Sequence, residues 1–452
     1  MKPSQLSYGG IFVIFTIAVG LLYFDRFPRR FLPPPSASSQ SVQTETNLKV
    51  LESPSPTPTP TPLQPDPQLQ AIVDAQIASL KNVGFDPAQQ SVWIESSEGT
   101  VGEYQGRTRL PAASLTKLAT TLAALNSWPA DYKFYTRIVS QGTIENGVLK
   151  GDLIVQGGAD PFYVWESGIQ LGNALNELGI KTVSGNLVIQ GIFVMNFERD
   201  PTIAGGLLRQ SFNADLWSGE AEQQYQTFPT GTPKPNLTID GEVVLATALP
   251  TGTQLLIEQP SLTLVQLLKQ MNNYSNNIMA QLFADLLGGP PILQEAVVNL
   301  AKIPAAEVAL TNGSGLGPEN QISARGTCQI LRAIGESLAP YQLGLPDVMP
   351  VTKVDPGTLA YRNLPPGVTA KTGTLWDVST LAGVISNSDR PAVSLDQANT
   401  LCFAIFNRGS GIDFFYTSQE NLVTELKTQL TKRSSSSQAS EPLTTPNGTE
   451  IK

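Results

Sequence analysis

Ser114 and Lys117 stand three residues apart where an apolar stripe begins, formed by Leu115, Leu118, Leu122 and Leu125. The spacing predicts a helix over Pro111–Asn126 with both polar side chains on one face of its first turn. Unpaired N–H groups and the positive dipole end favour negative charge there. A serine beside a desolvated lysine can act as a nucleophile without an imidazole. The requirement is steep: lowering a lysine from about 10.4 to about 7 costs ~4.6 kcal/mol, which burial and a second cation must supply. The chain contains no histidine at all. A Ser-His-Asp triad, a Cys-His dyad and a His-ligated zinc site are therefore excluded, and any general base is Lys, Asp, Glu, Tyr or water.

S-x-x-K alone recurs by chance, and Ser114 by itself reads equally well as a helix N-cap. Two further motifs add weight. Lys371-Thr372-Gly373-Thr374 falls on a strand expected over Thr369–Leu375, with Gly373 leaving room for a ligand backbone. An edge strand there could take up a peptide, with Lys371 holding a carboxylate and Thr372 donating a hydrogen bond. Ser275-Asn276-Asn277 interrupts the helical stretch Ser261–Leu287 near Asn272-Asn273, so its side chains could enter a cleft. Ser184-Gly185-Asn186 and Ser211-Phe212-Asn213 share the S-x-N pattern but lie in a strand-rich region, where turn chemistry explains them.

S-x-x-K, S-x-N and K-T-G in this order, on a helix start, a helix break and a strand, are the motif set of penicillin-binding proteins and class A β-lactamases. With them the chain resembles the class C low-molecular-mass penicillin-binding proteins, which are D-alanyl-D-alanine carboxypeptidases and endopeptidases. The resemblance runs from about 90 to 410. It takes in Gly157-Gly158-Ala159-Asp160-Pro161, Asn312-Gly313-Ser314-Gly315-Leu316, Leu345-Pro346, Asp355-Pro356-Gly357-Thr358-Leu359 and Ala370–Leu375, in family order. A large insert between the first two motifs is also a family habit. The resemblance implies an α/β penicillin-binding fold, an antiparallel sheet flanked by helices and interrupted by a β-rich insert. It implies Ser114, Lys117 and Ser275 as catalytic, and Asn277, Lys371, Thr372, Gly373 and Thr374 as substrate-binding. Peptidoglycan stem peptides would be substrates and β-lactams inhibitors, with no metal or cofactor. The chain departs from the family at Pro111-Ala112-Ala113-Ser114, one Ala longer than the usual P-A-S; at Asn276; and at Asn312, where the usual Asp and any salt bridge it makes are lost. Two rival readings are a β-lactamase-like hydrolase, with Glu295 and Asn299 at E-x-x-x-N spacing, and a non-catalytic peptidoglycan-binding scaffold.

The remaining sequence must position these groups. The chain has 452 residues, 41% of them hydrophobic, and a net charge of −9 that argues against nucleic-acid binding. Tyr8–Phe24 is an uncharged apolar run followed by Asp25 and Arg26 rather than a cleavage site, so residues 1–24 read as an uncleaved membrane anchor. Arg26, Arg29 and Arg30 behind the run would by themselves keep the body in the cytoplasm, against the envelope location (periplasmic, outside the cytoplasm) that the function requires. Residues 25–67, with Ser53–Pro62 reading SPSPTPTPTP, form a Pro-rich linker. Residues 68–140 and 256–431 read as the catalytic domain, 141–255 as the β-rich insert and 432–452 as a disordered tail. Cys328 and Cys402 sit among apolar residues and read as buried free thiols rather than as a disulfide.

Overall fold

A computed structural model describes residues 63–439. The anchor, most of the linker and the end of the tail lie outside the described residues. Helix α1 (Pro67–Asn82) starts where Asp66 accepts the N–H groups of Gln68 and Leu69, and it buries Leu69, Val73, Ile77 and Leu80. A hairpin follows as β1 (Gln90–Ser96) and β2 (Thr100–Tyr104), turning at Gly99 with φ 79°. A 3-10 turn at Ala113–Leu115 leads into α2 (Thr116–Ser127), which is buried from Thr116 to Ala124.

Next come β3 (Tyr135–Glu145), β4 (Val148–Gly158), α3 (Trp165–Glu177), β5 (Leu187–Ile192), α4 (Pro201–Ser211), α5 (Gly219–Tyr225), β6 (Val243–Ala246) and β7 (Gln254–Pro260). They build a second sheet in the order β6-β5-β4-β3-β7, with a short strand at Thr182–Val183 beside β4 and another at Thr238–Ile239 paired to that one. The strand texture is as expected, but the region also holds three helices. Gly168 and Gly172 are one helical turn apart inside α3. A Cβ on Gly168 would lie 2.3 Å from Ser211 Oγ, and one on Gly172 3.1 Å from Phe212 Cα. They are close-packing positions for α3 against the end of α4. Ile169, Leu175, Leu208 and Phe212 cover Ile138, Leu153, Val155 and Ile189 of the sheet.

The chain then returns with α6 (Leu264–Asn273), α7 (Asn277–Leu287), α8 (Pro290–Leu300) and α9 (Ala324–Leu338). It ends with β8 (Thr369–Leu375), β9 (Val378–Ser386), β10 (Thr400–Arg408) and α10 (Ile412–Ala439). The main sheet runs β2-β1-β10-β9-β8, antiparallel throughout, with a short parallel strand at Gln64–Pro65 outside β2. Alternation sets its two faces. Cys402, Ala404 and Phe406 pack with α2, α6 and α9, while Leu401, Phe403 and Ile405 pack with α1 and α10. Strand β8 is left at one edge.

Two expectations need correction. Helix α10 continues through Lys432 to Ala439, and Arg433 donates to Asp66 Oδ2 at 2.7 Å, so the segment assigned to a disordered tail begins as helix docked on α1. Cys328 and Cys402 are joined in a disulfide, not free. Helix α9 lies across β10 and brings their Cα atoms to 6.0 Å, within bridging range. Two cysteines 74 residues apart carry no sequence signal of that crossing. The bridge ties helix to sheet in the core around α2. Replacing both cysteines by alanine is expected to lower stability by about 2–4 kcal/mol, read as a lower urea midpoint with a steeper slope, because the unfolded chain loses a cross-link between residues 74 apart and exposes more surface.

Candidate active site

Ser114 sits in the 3-10 turn ahead of α2, and Ala113 before it takes a left-handed φ of 48°. That turn tips the Ser114 side chain out of the apolar stripe. Lys117, on the first turn of α2, is 0% exposed. Its Nζ lies 3.0 Å from Ser114 Oγ, 2.7 Å from Asn277 Oδ1 and 2.7 Å from the main-chain oxygen of Ser314. The partners differ in kind. The amide and peptide oxygens can only accept, so they fix two N–H groups; the serine hydroxyl can accept or donate. A neutral Lys117 amine keeps both fixed bonds and turns its lone pair to the Ser114 proton. Burial, then the charge of Lys371, holds Lys117 well below the ordinary lysine range.

The Ser314 oxygen is placed by the loop Asn312–Leu316. Asn312 Oδ1 accepts from Ser314 N at 3.1 Å, Ser314 Oγ at 3.0 Å and Gly315 N at 2.7 Å, while its Nδ2 donates to Leu316 O at 2.8 Å. Asn312 therefore orders the loop as a neutral amide, with a donor that an Asp in its place would lack. Gly315 has φ 82°, and a Cβ there would lie 1.8 Å from Ala113 O, so only glycine lets the loop reach the nucleophile turn.

The other wall is strand β8. Lys371 is 0% exposed, and its Nζ donates to Ser275 Oγ at 2.9 Å and to Thr372 O at 2.7 Å. Burial pushes it down to about 7. A Cβ on Gly373 would lie 2.2 Å from Thr380 Oγ1 and 2.9 Å from Ser114 N; Thr380 in turn donates to Ala112 O at 3.0 Å. The glycine thus lets the edge strand lie against the backbone of the nucleophile. Thr374 Oγ1 is 2.9 Å from the hydroxyl of Tyr416 on α10.

Ser275 lies in the break between α6 and α7 with φ 54°, and Asn276 caps α7 by accepting from Met279 N at 3.0 Å. The break turns Ser275 and Asn277 toward the two lysines. The structure brings all eight expected residues around one cleft, and the Ser275 hydroxyl accepts from Lys371 there. Ser184 and Ser211 belong to the second sheet region. Glu295 and Asn299 are exposed on α8.

Several participants were missed as site residues. The main-chain oxygen of Ser314 has no side-chain signature. Tyr416 comes from a helix far along the chain. Thr358, which accepts from Thr372 Oγ1 at 2.8 Å, sits in the Asp355–Leu359 motif that the sequence does display.

Among known proteins, residues 78–196 and 199–427 match the D-Ala-D-Ala carboxypeptidase 3 (S13) family. A carboxypeptidase of Mycobacterium tuberculosis is 31% identical over 169 residues, 33% of this chain and 36% of that protein. The D-alanyl-D-alanine carboxypeptidase DacB of Haemophilus influenzae is 35% identical over 89 residues, 20% of this chain and 19% of that one. The alignments thus span well under two thirds of either relative. In three dimensions the chain is similar to Bd3459, a predatory peptidoglycan endopeptidase from Bdellovibrio bacteriovorus. The TM-score is 0.62 at 20% identity, over 75% of this chain and 92% of the other. The family match spans both sheets and every residue of the cleft from Ser114 to Tyr416, and on it the chain belongs to the D-Ala-D-Ala carboxypeptidase 3 (S13) family.

Proposed function

We propose that the protein is a serine-type D-Ala-D-Ala carboxypeptidase acting on peptidoglycan stem peptides through an acyl-enzyme on Ser114. One observation carries the reading: Ser114 Oγ lies 3.0 Å from the amine of a fully buried lysine that forms no ion pair among the described residues. Ser114 attacks the carbonyl of the D-Ala-D-Ala bond while its proton passes to Lys117. The backbone N–H groups of Ser114 and Thr374 hold the developing oxyanion. Lys371 and Thr372 take the terminal carboxylate, and Gly373 lets the peptide lie along the strand. Asn277 orients Lys117 and faces the substrate amide. The C–N bond breaks as the leaving amine gains the proton that Lys117 took from Ser114, passed on through the Ser275 hydroxyl. Water then releases the acyl group from Ser114. A β-lactam presents a carbonyl and a carboxylate in a similar arrangement and acylates the same serine.

The site chemistry serves a cross-linked stem equally well, so DD-endopeptidase activity belongs to the same proposal. The endopeptidase Bd3459 has been observed in a penicillin G-acylated form. The exposed position of Glu295 supplies no deacylating carboxylate of the β-lactamase kind, and the short Ser114–Lys117 contact speaks against a binding scaffold. We place the catalytic body in the cell envelope, outside the cytoplasm, with residues 1–24 as its anchor. The buried disulfide supports an oxidising compartment, against the charge bias around the apolar run. Among the described residues no helix is long and apolar enough to cross a membrane, and the anchor itself lies outside them.

Labelled penicillin should form a covalent adduct with the wild-type protein and none with Ser114→Ala. An adduct on Ser114→Ala would overturn the reading. Lys117→Ala should slow acylation by at least about 100-fold, the general-base contribution. Mass analysis of products from a muropeptide mixture separates loss of terminal D-Ala from cleavage of cross-links. Protease digestion of the Pro-rich segment in intact cells tests the outward orientation.

The two lysines set opposite limbs of a pH profile. Lys117 acts as a neutral base, so kcat/KM falls as pH drops through its depressed pKa. Lys371 binds a carboxylate as a cation, so kcat/KM falls as pH rises through about 7. In the complex the substrate carboxylate raises Lys371, so the alkaline limb of kcat should lie at higher pH than that of kcat/KM. Coincident alkaline limbs would remove Lys371 from carboxylate recognition.

A further inference from the structure

Thr372 does not stand alone on its strand. Its hydroxyl donates to Thr358 Oγ1 at 2.8 Å, and Thr358 Oγ1 donates to the main-chain oxygen of Asn273 at 3.4 Å. Asn273 ends α6, two residues before Ser275. A chain of two hydroxyls thus links the strand that would hold the substrate carboxylate to the turn that carries Ser275.

The loop that presents Thr358 is fixed from beneath. Lys269 on α6 donates to Pro346 O at 2.8 Å, Met349 O at 2.7 Å and Asp355 Oδ2 at 2.5 Å. Asp355 Oδ2 also accepts from Val351 N at 2.8 Å. Asn272 Nδ2 donates to Val348 O at 2.9 Å. Gly357, with φ 105°, passes so close that a Cβ would lie 2.0 Å from Asn273 O. Four main-chain or carboxylate oxygens and one glycine clamp this loop to α6, and Thr358 is where it touches the site.

A threonine hydroxyl has one proton. While Thr372 gives its proton to Thr358, it has none for a carboxylate. Turning that proton to a bound carboxylate leaves Thr372 Oγ1 as an acceptor 2.8 Å from Thr358. The bond from Thr358 to Asn273 O is long, at the limit of a hydrogen bond. Its proton can therefore swing to Thr372 Oγ1 at little cost. The chain then runs Thr358 to Thr372 to carboxylate, and each bond polarises the next.

We propose that Thr358 is a positioning residue that sets the direction of the Thr372 hydroxyl and so governs how tightly the site holds a substrate with a free terminal carboxylate. This rests on the carboxypeptidase reading above, and deepens it. Thr358→Val keeps the side-chain shape and removes the relay. The ring-opening acylation of Ser114 by a penicillin and by its methyl ester compares a carboxylate with its neutral counterpart. Thr358→Val should lower the acid-to-ester ratio of second-order acylation rates about 10-fold, the effect of one hydrogen bond to a charged group. On a D-Ala-D-Ala peptide its loss should fall on KM, with kcat within about 2-fold of wild type. Thr358→Ser should restore both, because it returns the hydroxyl. Equal losses for acid and ester, or no loss for either, would overturn the proposal. So would a Thr358→Ser variant as impaired as Thr358→Val. Should Thr358→Val fail to fold, Thr358→Ala gives the same comparison. A wild-type protein that penicillin does not acylate at all would instead sink the carboxypeptidase reading, so the two failures are distinct.

Discussion

An amine without room for its charge is the constraint on which the cleft is built. Lys117 is enclosed on α2 by the helices around it, and among the described residues its hydrogen-bond partners are two oxygens and the hydroxyl of Ser114. No carboxylate shares its pocket among the described residues. Burial disfavours the ammonium, and the second buried lysine across the cleft disfavours it further. The protonated state is thereby made costly while the neutral state keeps all its hydrogen bonds. The same geometry in water would give an ordinary ammonium that could only donate to the serine.

Holding that amine in place takes contributions from distant parts of the chain. The Asn312–Leu316 loop supplies a peptide oxygen, and the start of α7 supplies an amide oxygen. The sheet edge supplies the second cation. Each approaches the nucleophile turn at a glycine or a strained residue: Gly315, Gly373, Ala113 and Ser275. Three of these positions have left-handed φ values, and Gly373 has no space for a Cβ. The core behind them fixes the approach, including the disulfide between α9 and β10. Loss of rigidity there would reach the site through α2.

In the proposed reaction the two lysines have different tasks although both are buried. Lys117 must be neutral to accept a proton, whereas Lys371 must be charged to meet an anion. Lys371 hydrogen-bonds Ser275, so the residue that would protonate the leaving group is itself oriented by the residue that would bind the carboxylate. Occupation of one subsite is thus linked to the geometry of the other. The loop carrying Thr358 joins the same elements from the far side, through α6.

The sequence by itself narrowed the chemistry. The absence of histidine left Lys, Asp, Glu, Tyr or water as base, and three motifs in order pointed to Ser114, Lys117, Ser275, Asn277 and Lys371–Thr374. Helix and strand patterns located α2, the break between α6 and α7, and β8 to within a few residues. Tertiary structure decided what spacing cannot encode. Gly168 and Gly172 show their part only when the end of α4 is seen packed against them. Cys328 and Cys402 look like core thiols until α9 crosses β10. The partner of the Ser275 hydroxyl, the oxygen of Ser314 and the hydroxyl of Thr358 depend on which loops meet in space. Local pattern reports how a residue faces its own element, whereas a catalytic contact depends on elements far apart along the chain. Only packing brings those together.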